Sequence, residues 1–81
     1  MKRRKFKQRA WRCIKALVNH TDSYDRLMDG MTVDCTAIQW EELCRWTDVA
    51  IEVVRSADVV ISGASPLPII RYRIETMLSA A

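Results

Sequence analysis

Nucleophilic or hydrolytic chemistry requires a nucleophile with an oriented base beside it. In this 81-residue chain the single histidine is His20 and the cysteines are Cys13, Cys35 and Cys44. By a 100° helical count His20 falls on the same apolar stripe as Cys13, where a histidine reads as a core residue rather than a base. A zinc site of Cys13, His20, Cys35 and Cys44 can be assembled on paper, but the spacings match no familiar ligand pattern. An odd number of cysteines without C-x-x-C spacing also argues against a disulfide framework and points to a reducing compartment. Asp22, Asp25 and Asp29 are at helical spacing, yet they lack the alternating carboxylates and internal glycine of an EF-hand loop. Two glycines cannot build a phosphate-cradling loop. The expectation is therefore a non-enzymatic protein without cofactor or metal.

What remains is charge. Lys2, Arg3, Arg4, Lys5, Lys7, Arg9, Arg12 and Lys15 put eight positive charges into the first fifteen residues, with no acid before Asp22. From Ala16 onward five arginines face ten acids, a net of −5, so the formal net charge of +3 hides a basic N-terminal arm (about 1–15) attached to an acidic body. A cationic segment this dense suits polyanions, because each phosphate contact releases counterions. An acidic protein surface would also serve.

The elements that must carry these residues read as helices. Phe6, Ala10, Cys13, Leu17, Tyr24, Leu27, Met28 and Met31 share one stripe, which predicts a helix over 5–29 ended by Gly30, with a kink or break at 19–23 as the alternative. Thr36 and Gln39 have capping-box spacing and open a second helix expected to run over 36–62, stopped by Gly63. Glu41, Arg45, Asp48, Glu52, Arg55 and Ser56 form its polar side, which decides for helix despite its β-branched residues. Ser65 and Pro66 open a third helix, with Leu67, Ile70, Ile74, Met77, Leu78 and Ala81 on one face. The expected fold is all-α, a small three-helix bundle with a long central helix that dimerisation could complete. One domain is expected at this length. No apolar run reaches the roughly 18 residues of a membrane span and no signal-peptide core follows the basic start, so a soluble, cytoplasmic protein is expected.

The second helix carries an apolar arc of about 220° by the same count, more than one neighbour covers. Self-association through Trp40, Leu43, Cys44, Thr47, Ile51 and Val54 would cover the excess. On the first helix Trp11, Ile14 and Val18 are at groove-docking spacing between Arg9, Arg12 and Lys15. These features favour a small regulatory protein that acts by protein–protein binding, as an inhibitor, antirepressor-like factor or adaptor, with Arg4, Arg9, Trp11, Arg12, Ile14, Lys15 and Val18 meeting the partner. The alternative is an RNA- or DNA-binding protein that uses the basic first helix. A helix-turn-helix centred on Gly30 fits poorly, since Arg26 would stand where a small residue packs and Glu41 and Glu42 would face phosphate. Peripheral membrane attachment is weaker still, because Lys and Arg are expected on every side of the first turns.

Overall fold

The computed structural model describes residues 1–56 and 63–80. They form an all-α protein of four helices: α1 (Arg3–Val18), α2 (Ser23–Asp34), α3 (Ala37–Val54) and α4 (Leu67–Ser79). Four helices replace the expected three because the long first helix is broken. The break is a Schellman turn. Asn19 is the C-cap, His20 takes the left-handed conformation at φ 53°, and the N–H groups of His20 and Thr21 donate to the carbonyls of Leu17 (3.3 Å) and Ala16 (3.1 Å). These two bonds satisfy carbonyls that the end of α1 would otherwise leave bare. The poor interior residues Thr21, Asp22 and Ser23 therefore mark a real boundary. His20, expected in the core, is exposed at this turn.

After the turn α2 doubles back along α1. The Arg9 guanidinium in mid-α1 reaches Asp34 at the far end of α2, with Nη1–Oδ2 2.7 Å. Gly30 does not end a helix, as had been expected. It sits inside α2, where a Cβ would stand 3.0 Å from Arg9 Nη2, so its missing side chain leaves room for the arginine to cross.

The capping box at the start of α3 forms as the spacing predicts. Thr36 Oγ1 accepts from the Gln39 N–H (3.2 Å) and Gln39 Oε1 accepts from the Thr36 N–H (3.1 Å). Gln39 Nε2 also donates to the Met1 carbonyl at 2.6 Å. Further along, Arg3 pairs with Glu42 and Phe6 meets Trp46 edge-on at 5.9 Å between ring centroids. These contacts advance in step, so α1 and α3 run side by side in the same direction. At the other end, α3 gives way at Val54 with Arg55 as C-cap, well short of the expected 62. Residues 57–62 of the expected central helix lie outside the described residues, as does Ala81 of the last helix. Gly63 takes the left-handed conformation at φ 66°, and the helix end expected before it lies outside the described residues.

Ser65 Oγ accepts from the Leu67 N–H (3.3 Å), Pro66 occupies the N-cap and Pro68 still lies in the first turn of α4, where a missing N–H is harmless. Arg73 bonds Glu52 at 3.0 Å, and α4 runs back along α3. The main packing is α1 on α2, α1 on α3 and α3 on α4, which places the helices side by side in the order α2–α1–α3–α4. The molecule is accordingly a slab, with Cα extents of 38 × 33 × 16 Å. Its core is Phe6, Ala10, Cys13 and Ile14 from α1, Met31 from α2, Leu43, Trp46, Ala50 and Val53 from α3, and Ile70 and Ile74 from α4. No helix among the described residues is long and apolar enough to cross a membrane.

Candidate anion-binding face of α1

The basic N-terminal segment is not an appendage. Its helix supplies four core residues on one side, which fixes where each cation can go. At 100° per residue Phe6, Ala10, Cys13 and Ile14 span one side of α1. Arg4, Lys5, Gln8, Arg12 and Lys15 lie within about 100° on the opposite side. All five are exposed. Two arginines flank the core instead and are paired with acids of the neighbouring helices. Arg3 forms a two-pronged pair with Glu42, whose carboxylate is buried, and Arg9 pairs with Asp34. The Arg3 guanidinium holds the Glu42 carboxyl below its ordinary range by hydrogen bonding, more than burial raises it. The buried indole N–H of Trp46 makes no full hydrogen bond, but it lies toward the same carboxylate and favours its charged form.

The cations left over are Lys2, Arg4, Lys5, Lys7, Arg12 and Lys15, all exposed and without an ion pair to any described residue. Four of these six, Arg4, Lys5, Arg12 and Lys15, share the outer face of α1, and by the same count Lys2 and Lys7 stand about 60° beyond its two edges. This arrangement runs against the helix macrodipole. The first turn of α1 holds no acid, and Arg3, Arg4 and Lys5 crowd the end that carries partial positive charge, where each cation costs about 0.3–1 kcal/mol. The body's acids are elsewhere: Asp22, Asp25 and Asp29 are exposed on α2, and by the same count they lie some 140° round that helix from the Gly30 and Asp34 edge that meets α1.

The apolar residues expected to anchor a partner are placed differently. Ile14 is fully buried and belongs to the core, while Val18 is half-buried against it. Trp11 is half-buried at the seam with α4, with the Arg71 guanidinium 5.6 Å from its ring centroid. A half-open slot of about 200 Å³ lies at this seam, lined by Lys7, Gln8, Trp11, Trp46, Arg71, Ile74, Glu75 and Leu78. On α3, Leu43 is fully buried, and Trp40, Thr47 and Val54 are half-buried, with Thr47 Oγ1 bonded to the Leu43 carbonyl. Of the residues expected in a self-association seam, Cys44 and Ile51 are exposed. Among the described residues the wide apolar arc is mostly covered, chiefly by α1 and α4.

Lys5, Lys7, Gln8 and Arg71 belong to the face or its edge without having been singled out. The first two were visible in the charge run. Nothing in the spacing of α4 could have brought Arg71 to Trp11.

The thiols do not assemble a reactive centre. Burial pushes both Cys13 and Cys35 above the ordinary thiol range, against a smaller opposing effect of Arg9. No group of three or more His, Cys, Asp and Glu side chains among the described residues could hold a metal ion. Cys13 is buried while His20 and Cys44 are exposed, so the paper zinc constellation does not converge. Comparison with protein families, with curated proteins and with solved structures returned no match, so the reading of this face rests on its own chemistry.

Proposed function

We propose that the protein is a small non-enzymatic helical protein that binds the phosphate backbone of a nucleic acid through the outer face of α1. The observation that carries this reading is the sorting of charge on that helix: Arg3 and Arg9 are paired with Glu42 and Asp34, whereas Arg4, Lys5, Arg12 and Lys15 stay exposed on the outer face, unpaired to any described residue. A protein interface draws its energy from apolar or aromatic anchors in a desolvated centre. On α1 the candidates for that role, Ile14 and to a lesser degree Val18 and Trp11, are taken up by the fold. Long flexible cations without an apolar centre suit phosphates, which need charge and reach rather than shape. Arg4 to Lys15 spans about 16 Å at 1.5 Å per residue, roughly five phosphates of one strand at 3.4 Å each. Free cysteines Cys13, Cys35 and Cys44 are compatible with a reducing, cytoplasmic setting.

Fluorescence anisotropy of a labelled oligonucleotide at rising salt tests the reading. With four or five phosphates neutralised, log K should fall against log salt with a slope of about −3 on a single strand and about −4 on a duplex. Replacing Arg12 and Lys15 by alanine should flatten the single-strand slope by about 0.7 for each cation removed. Affinity indifferent to salt, or unchanged in that variant, would refute the assignment.

The protein-docking regulator is the second reading. It retains Cys44 and Ile51, two turns apart on the exposed edge of α3 at the 4-3 spacing of Trp40, Cys44, Thr47, Ile51 and Val54, where a second copy could pair. Sedimentation at micromolar concentration checks its self-associating form, which a clean monomer of 9.4 kDa would remove.

A further inference from the structure

The slot between α1 and α4 opens beside the basic face and has a chemistry the phosphates do not need. Trp11 stands between Lys7 on one side and the Arg4–Lys15 row on the other when α1 is projected at 100° per residue. Trp11 and Trp46 give the slot aromatic lining, Ile74 and Leu78 give aliphatic lining, and Gln8 supplies an amide able both to donate and to accept. About 200 Å³ lies below the usual size of pockets for drug-like ligands and suits one planar heterocycle. The Arg71 guanidinium stands over the half-buried Trp11 ring, 5.6 Å from its centroid. Arg71 is held in turn by Glu75 at 3.4 Å, with both side chains 66% exposed. An exposed pair of that kind holds weakly, so the guanidinium can leave the ring at little cost.

We infer that this slot accepts an unpaired base of a single-stranded segment whose phosphates lie on the α1 face. The inference rests on the nucleic-acid reading above and deepens it from a backbone contact to a preference for unstacked nucleotides. The entering base replaces the Arg71 guanidinium on the Trp11 ring, and the displaced cation turns to a neighbouring phosphate. The cation–π contact and the weak exposed pair with Glu75 are exchanged for a base–indole stack and a phosphate pair. A continuous duplex keeps its bases inside the helix stack and can offer the slot nothing without first unpairing one. An acidic peptide could satisfy the cations but not the aromatic lining.

The deciding experiment compares three probes of equal length on the intact protein at one salt concentration: oligothymidylate, the same phosphodiester chain with abasic sites throughout, and a blunt duplex. The base-bearing single strand should bind about 5- to 150-fold tighter than the abasic chain, the range that one base–aromatic stack contributes. It should also quench tryptophan emission. In Trp11→Leu, which keeps an apolar side chain against the core, that advantage and most of the quenching should vanish while the abasic chain binds as before. Equal affinity for base-bearing and abasic chains would overturn the slot assignment and leave the backbone reading standing. Absence of binding by all three probes would overturn both. Equal or tighter binding of polyglutamate of matching charge would assign the face to acidic protein instead. The abasic comparison on the unmodified protein decides the matter even if Trp11→Leu fails to fold.

Discussion

Glu42→Gln tests whether the basic helix is fastened to the body by the Arg3–Glu42 pair. Glu42 is a buried carboxylate on α3 that accepts both guanidinium nitrogens of Arg3, one at 2.8 Å. Charge-assisted hydrogen bonds of this kind contribute about 1.5–3 kcal/mol. Because the Arg3 side chain is 53% exposed, water screens part of that and lets the arginine escape when its partner is lost. A loss of about 1–2 kcal/mol is expected at neutral pH, which for a domain of this size lowers the melting temperature by roughly 5–15 °C. The glutamine can accept one bond but turns an N–H toward the guanidinium with its other atom. The pH dependence gives a sharper check. Glu42 titrates below its ordinary value in the folded protein, chiefly through the Arg3 hydrogen bond, so its contribution is complete above the unfolded-state value of about 4.3. That contribution is lost as pH falls through the lower folded-state value. Urea denaturation followed by helical circular dichroism should therefore show a stability gap between the two proteins that is constant from pH 7 to about 5 and closes below about pH 4. A gap that persists unchanged at pH 3, or that is missing at pH 7, would refute the clamp.

Three further substitutions separate the roles assigned above. His20→Gly should raise stability by about 0.5–1 kcal/mol in chemical denaturation, because the left-handed C′ position of the Schellman turn strains any residue with a Cβ; a destabilised variant would mean that the imidazole makes a contact the fold needs. Ile14→Ala should cost about 2–5 kcal/mol of the few available to so small a domain, and a loss of partner affinity without loss of stability would return Ile14 to a docking role. Arg4→Glu should have opposite effects in two assays, adding up to about 1 kcal/mol of stability by favouring the N-terminal dipole of α1 while weakening oligonucleotide binding; if both quantities fall together, the exposed cations serve the fold rather than a ligand.

The all-α architecture was legible in the residues because helices declare themselves locally. The apolar period of 3.6, the Thr36–Gln39 box and the Ser65–Pro66 start each depend on side chains a few positions apart; the box formed where the spacing put it, and the last helix begins one residue later than expected, with Pro66 as its N-cap. The break at Asn19–Asp22 was harder to read. The apolar phase continues through it, and the Schellman turn is made with His20 rather than the glycine that normally signals one. Gly30 misled for the complementary reason: its lack of a side chain serves the passage of Arg9 across α2, a contact between helices and not a helix end.

The candidate site divides along the same line. Residue order alone determined that eight cations precede the first acid and that one face of the first helix had to be apolar. Which cations are spent and which stay free was decided only when α2 and α3 brought Asp34 and Glu42 to Arg9 and Arg3, across 25 and 39 residues of sequence. The same holds for the apolar arc of α3, most of whose described residues are covered by the flanking α1 and α4, and for Trp11, which meets Arg71 of the last helix. Helical periodicity is written in neighbours along the chain, whereas charge pairing and surface coverage depend on which faces meet in space, and those are set by the tertiary packing.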